Sequence, residues 1–170
     1  MLSKAQQAIH RQLGIPGDYG SGGRPRHYPE VADLVDVGPN LVGRMQRLTP
    51  ECARRWQTMC EAASADGISL LLVSGFRSFD YQAGLIEKKL ATGQAIGEIL
   101  TVNAAPGFSQ HHSGRAVDIA TPGSRPLTEE FEQSGAFAWL IEHAATFGFS
   151  MTYPRDNDDG FIYEPWHWAL

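Results

Sequence analysis

Apolar positions change their period several times along the chain, and each change marks an element. Leu48, Cys52, Trp56, Met59, Cys60 and Ala63 recur at helical spacing. Ahead of them Thr49-Pro50-Glu51 offers a cap, a proline for the first helical position and an acid for the positive end of the dipole, and Asp66-Gly67 stops the run. ISLLLV (Ile68–Val73) is a continuous apolar run of strand length and predicts a buried strand, which empties into SGFRS (Ser74–Ser78). A second helix is predicted over Asp80–Ala91, ending at Thr92-Gly93, and RAVDIA (Arg115–Ala120) alternates toward a strand. Ser134–Phe147 predicts an amphipathic helix with Phe137, Leu140, Ile141, Ala144 and Ala145 on one face and Gly148 as its stop. Two last strand-like runs, FSMTYP and FIYEPWHWAL, are separated by RDNDDG, which reads as a hairpin loop.

Residues 2–13 read as a short helix, and eight of the sixteen residues from Gly14 to Pro29 are Gly or Pro, so irregular chain is expected there. Residues 1–47 are therefore taken as an N-terminal helix and Gly/Pro-rich arm wrapping the same domain, and residues 48–170 as its core. Helices and strands occur in runs, without regular βαβ alternation. That predicts an α+β domain with a small central antiparallel sheet packed with helices.

Composition narrows the function. At 170 residues and 42% hydrophobic the chain suits one domain with a real core. Its net charge of -5 and its scattered basic residues argue against nucleic acid as a partner. No apolar run approaches the ~20 residues of a membrane span. The first residues lack a signal-peptide core, so the expectation is a protein cytoplasmic as made, or a mature periplasmic, secreted or phage-lysin form. Cys52 and Cys60, eight apart on one predicted helix, are about 12 Å apart along its axis, too far for a disulfide, and are expected as buried reduced thiols.

The candidate chemistry lies in two stretches, SQHHSGRAVD (Ser109–Asp118) and EPWHW (Glu164–Trp168). Catalytic zinc takes three ligands from His, Asp or Glu, and His111, Asp118 and His167 can supply that shell. Glu164 then remains as a non-ligand carboxylate able to take a proton from water. On extended chain, residues three apart face opposite ways, so Glu164 and His167 need a bend between them, which Pro165 offers. His112 is expected to point away from His111, toward the surface or behind the site. His143 reads as structural, and DNDDG (Asp156–Gly160) as a solvated turn rather than a calcium loop.

These blocks resemble the D-alanyl-D-alanine carboxypeptidase family of zinc peptidases, the VanY type, related to the D-alanyl-D-alanine dipeptidases and more remotely to the hedgehog signalling domain. SQHHSGRAVD fits Ser-x-His-x-x-Gly-x-Ala-x-Asp and EPWHW fits Glu-x-Trp-His. SGFRSFDYQ (Ser74–Gln82) is similar to the family's Ser-Gly-Tyr-Arg-Ser-x-x-x-Gln, with Phe76 in place of the Tyr. The resemblance implies one catalytic zinc on His111, Asp118 and His167, Glu164 as general base and Arg77 as the cation that neutralises the oxyanion. It implies Ser109 and Gln82 as holders of the substrate's terminal carboxylate, Trp166 as a pocket wall, and Gly114 and Ala116 as small residues letting the backbone pass close to the metal.

The activity so implied is hydrolysis of peptidoglycan stem peptides at D-alanine by a monomer, first of all as a D-alanyl-D-alanine carboxypeptidase. The same zinc chemistry would serve a D,D-dipeptidase, an L,D-carboxypeptidase or a lysin-like endopeptidase. Closure of the pocket, which the arm would help to build, decides among them. A non-catalytic zinc-containing wall-binding module would need neither Glu164 nor Arg77.

Overall fold

The computed structural model describes all 170 residues. Eleven helices and strands occur in the order α1 (Lys4–Gln12), β1 (Val35–Pro39), β2 (Met45–Leu48), α2 (Pro50–Ala65), β3 (Leu71–Ser74), α3 (Phe79–Ala91), α4 (Ile96–Val102), β4 (Ala116–Ala120), α5 (Gly135–His143), β5 (Ser150–Met151) and β6 (His167–Ala169), with short 3-10 turns between some of them. The expected α+β architecture is present: a four-stranded antiparallel sheet of order β3-β4-β6-β5, and a separate hairpin of β1 with β2.

Helix α2 starts as its sequence dictates. The Thr49 hydroxyl accepts the Cys52 N–H at 3.3 Å and Pro50 occupies the first turn. Cys52, Trp56, Met59 and Ala63 form its buried face, while Cys60 sits half-buried at the edge. That face packs with Leu72 of β3, Val117 and Ile119 of β4, Trp166, Trp168 and Leu140 into the main core. Burying such side chains contributes roughly 1.5–3 kcal/mol each.

Three expectations shift. The strand β3 begins at Leu71 rather than Ile68, because Leu71 pairs with Ala120, the last residue of β4, and no partner strand lies beside residues 68–70. The Ile68 N–H instead closes the end of α2 on the Ala63 carbonyl at 2.8 Å. Helix α5 ends at His143 and tightens into a 3-10 turn, which rotates its face: Ala136, Trp139 and Leu140 are buried, whereas Ile141 is 57% exposed and Ala145 is also exposed. The last two strand-like runs shrink to β5 and β6, whose pairing of Met151 with Trp168 leaves residues 152–166 as a long connection containing the Asp156–Gly160 turn.

The arm is built into the molecule. Leu13 and Ile15 join a second core with Ala83, Ile86, Ile99 and Phe108. The Tyr28 and Val31 amides donate to the carbonyls of Gly107 and His112 at 2.8 and 3.2 Å. Strand β2 crosses the boundary drawn between residues 47 and 48, and its hairpin stands over the sheet end that carries the candidate chemistry. The sequence reading missed β1, β2 and α4. β1 is interrupted by a register shift at Gly38 (φ +100°), so no clean alternation marks it.

Candidate metal centre

Strand β4 is buried throughout, and its alternation sorts its residues. Val117 and Ile119 enter the main core, so Asp118 between them faces the opposite side. On the neighbouring strand Trp168 enters the same core, and His167 faces Asp118 as its register partner. Ser74 of β3 is Asp118's register partner on the other flank. His111 arrives from the 3-10 turn Gln110–Ser113, closed by Gly114 in a left-handed conformation (φ +63°). The turn explains His112: in a tight turn its side chain does not simply oppose that of His111, and it is fully buried rather than at the surface.

One nitrogen or oxygen from each of His111, Asp118 and His167 lies within 4.8 Å of the others, and all three residues are buried. His111 Nδ1 lies 2.7 Å from the Gly75 carbonyl, which can only accept, so this nitrogen carries the proton and Nε2 is bare. His167 Nε2 lies 2.7 Å from Gln110 Oε1, leaving Nδ1 bare. The two bare nitrogens sit 3.2 and 2.9 Å from the Asp118 oxygens Oδ2 and Oδ1. Lone pairs of two imidazoles and a carboxylate thus converge in a dry place, an arrangement that a cation relieves. Two nitrogens and one oxygen suit zinc at a site with an open position, and the outer hydrogen bonds orient the ligands as such sites require. The triad is poised for metal binding.

Burial, reinforced by the neighbouring Arg77 charge, pulls His111 down to about 4. Burial pushes the Asp118 carboxyl up, but His111 and Arg77 outweigh it and hold it well below the usual carboxylate range. Glu164 behaves in the opposite way. Burial, with the Asp118 charge adding to it, raises this carboxyl to about 8. Two carboxylates on one cavity pushed apart in this way are a recurrent sign of divided acid–base roles.

The bend expected at Pro165 is there: the His167 N–H donates to the Glu164 carbonyl at 3.1 Å, and the Trp168 indole N–H donates to the Pro165 carbonyl at 2.9 Å. It leaves Glu164 Oε2 3.9 Å from His167 Nδ1, beside the triad but not in it. Arg77 bonds the Asp118 carboxylate, and its Nε–H donates to the Ser74 hydroxyl at 2.8 Å. His112 holds that arginine's backbone, with Nδ1 2.6 Å from the Arg77 carbonyl and Nε2 accepting the Gly107 N–H at 2.9 Å. Gly114 has a different task from the one expected. A Cβ there would meet Leu34, Val31 and Thr49 at 2.9–3.2 Å, so it admits the arm rather than the metal. The glycine beside the metal site is Gly75, where a Cβ would lie 2.7 Å from the Arg47 carbonyl oxygen.

His111, Asp118, His167, Glu164, Arg77 and Ser74 line one cavity of about 750 Å³. Ser109 is 4% exposed on its wall, and Trp166 lines it while belonging to the main core. Gln82 is 1% exposed; its Nε2 donates to the Ala104 carbonyl at 2.9 Å, which fixes the carboxamide and leaves Oε1 without a partner. The arm's hairpin supplies Asn40, Val42, Arg44 and Met45. The sequence reading assigned none of these to the site, nor three polar lining residues close to the triad or to Gln82. Gln110, lying between Ser109 and His111, could have been suspected from its place; Lys89 and Tyr153 carry no local signal. The Tyr153 ring packs on His167 with centroids 4.7 Å apart, and its carbonyl accepts the Glu164 N–H at 3.0 Å.

Fold and donor set together define a small α+β protein with a mononuclear metal site on its central strand. The chain belongs to the VanY family, D-alanyl-D-alanine carboxypeptidase, whose sequence model matches residues 45–170. It is 34% identical over 170 residues to a D-alanyl-D-alanine carboxypeptidase of Enterococcus faecalis (strain ATCC 700802 / V583), covering 94% of this chain and 56% of that protein. The chain thus spans somewhat more than half the length of such relatives. Among solved structures, the LD-carboxypeptidase LdcB superposes with a TM-score of 0.73 at 31% identity, over 83% of this chain and 69% of that one. VanY from a VanB-type vancomycin resistance cassette, solved as a D,D-pentapeptidase variant in complex with Zn(II), superposes with a TM-score of 0.63 at 28% identity, over 85% and 80%.

Proposed function

We propose that this chain is a zinc carboxypeptidase that removes the C-terminal D-alanine from peptidoglycan stem peptides. The observation that carries the proposal is Glu164: a buried carboxylate outside the ligand set, held beside it by the Pro165 bend. A metal site of purely structural use has no need of such a group. Zinc held by His111, Asp118 and His167 supplies Lewis acidity toward a carbonyl oxygen and toward water. Glu164 accepts a proton from the attacking water as its oxygen bonds to the scissile carbonyl carbon. It then returns that proton to the amide nitrogen as the C–N bond breaks, so that D-alanine leaves as an amine. The remaining N–H groups of Arg77, fixed by Ser74, Asp118 and His112, face charge that appears on the carbonyl oxygen only in the transition state, where preorganised donors count most.

Ser109 Oγ and the second N–H of Gln82 Nε2 would donate to the substrate's terminal carboxylate. Gln82 Oε1, buried and without a partner, suits a peptide N–H. The arm's hairpin closes the cavity on one side, which favours removal of an end residue over internal cleavage. The likeness to an LD-carboxypeptidase supports a second reading, in which the penultimate residue has the L configuration at its scissile carbonyl.

Mass spectrometry of stem penta- and tetrapeptides incubated with the zinc-loaded protein, with and without chelator, separates the two. Loss of one alanine from the pentapeptide ending in D-Ala-D-Ala is the expected result. Loss from the tetrapeptide alone selects the L,D reading, and chelator-insensitive cleavage would remove the metal from the chemistry.

A further inference from the structure

Four cations line the cavity, and three of them are engaged. Arg77 is held by Asp118 and Ser74, Arg44 donates to the Tyr81 hydroxyl at 2.7 Å, and the Arg47 guanidinium lies over the Phe76 ring at 5.5 Å. Lys89 is half-buried on α3 and lines the same cavity, yet its ammonium makes no hydrogen bond or ion pair within the protein. It lies on the helix that carries Gln82, two turns further along, about 10 Å by Cα rise. Helical side chains lean toward the N-terminus, so the lysine's long stem brings its charge back toward Gln82. Burial lowers the Lys89 pKa while the charge of Glu164, which lines the same cavity, raises it.

The groups assigned to the substrate's terminal carboxylate are neutral. Ser109 offers one hydroxyl hydrogen, and Gln82, with one Nε2 hydrogen held by the Ala104 carbonyl, offers a single amide hydrogen. A carboxylate leaving water for this cavity needs a countercharge, since a buried unpaired anion is costly. We propose that Lys89 is a specificity-determining residue that pairs with a carboxylate of the substrate. The inference rests on the carboxypeptidase reading above. Two carboxylates on a stem peptide present this chemistry, the C-terminal one and a side-chain one such as that of meso-diaminopimelate.

The test is steady-state kinetics of the zinc-loaded full chain and its Lys89→Met variant on two stem pentapeptides ending in D-Ala-D-Ala. One carries meso-diaminopimelate at the third position and the other lysine. The variant is expected to show KM raised about 10-fold with kcat little changed, the loss of one charge-assisted hydrogen bond. Lys89→Arg, which keeps the charge, should recover part of the KM and show that the Met variant's defect is not one of folding. An equal rise on both peptides assigns the pairing to the terminal carboxylate; a rise on the diaminopimelate peptide alone assigns it to the side chain. Unchanged KM on both peptides overturns the proposal. So does a fall in kcat alone, which would make Lys89 a partner of Glu164 instead. If the wild-type protein cleaves neither peptide, the D,D-carboxypeptidase reading fails, and calorimetric titration of the same peptides decides Lys89 separately. Weaker binding by Lys89→Met then supports it, and equal affinity or no binding by either protein overturns it.

Discussion

The hydrogen bond from His167 Nε2 to Gln110 Oε1 gives a prediction with two signs. At 2.7 Å it holds the ring in the tautomer that leaves Nδ1 free for a metal, and the Gln110 side chain makes no hydrogen bond to His111 or Asp118. Gln110→Ala removes one neutral, part-buried bond, about 1 kcal/mol, and also frees the ring to rotate. The expected result is zinc affinity weakened about 10-fold, at the low end of the 10–100-fold typical for removing an outer partner of a ligand histidine. Gln110→Glu substitutes a carboxylate for the carboxamide oxygen, makes the imidazole a stronger donor to the metal, and should tighten zinc binding instead. Competition against a chelator of known affinity at neutral pH reads both variants, with thermal unfolding of each apoprotein as the control for folding. Wild-type affinity in Gln110→Ala, or weaker binding in Gln110→Glu, would refute the assigned tautomer and with it the donor set.

Other consequences are equally direct. Glu164→Ala should lower kcat by about 10²–10⁴ while zinc stays bound; zinc lost along with activity would make Glu164 a ligand. His112→Leu leaves the Arg77 carbonyl and the Gly107 N–H unsatisfied in the interior and should destabilise the fold by about 2–4 kcal/mol in urea unfolding, whereas a cost under about 0.5 kcal/mol would show that those bonds are absent. His10, buried with Nε2 2.7 Å from the Pro106 carbonyl, has its pKa lowered by burial against the opposing pull of that bond. The unfolded chain therefore binds its proton more readily. This residue's contribution is present above about pH 6.5 and is lost as pH falls through the lower folded-state value. His10→Gln should flatten the rise of unfolding free energy between about pH 5 and 7, and identical slopes in the two proteins would contradict the assignment.

The chemistry was readable in the chain because it depends on residue types at short spacings. His111 to Asp118 is a turn feeding a strand, and Glu164 to His167 is a proline bend; both are local and formed as expected. Helix α2 likewise follows from its cap and its apolar period. Gln82, Ser109 and Trp166 do reach the cavity that the family blocks implied, although the hydrogen-bond state of Gln82 could not have been read from them.

What no stretch of sequence contained is the register that sets Asp118 opposite His167 and Ser74, since strand pairing joins segments tens of residues apart. The metal-facing tautomers depend on the Gly75 carbonyl and the Gln110 side chain, which tertiary packing brings to the two imidazoles. The cavity wall made by β2 and the turn that leads into it, and the place of Lys89 on the same cavity as Glu164, arise the same way. Short, weakly patterned segments acquire their shape from what they pair with and cover, whereas a capped amphipathic helix or a turn into a strand carries its own instructions.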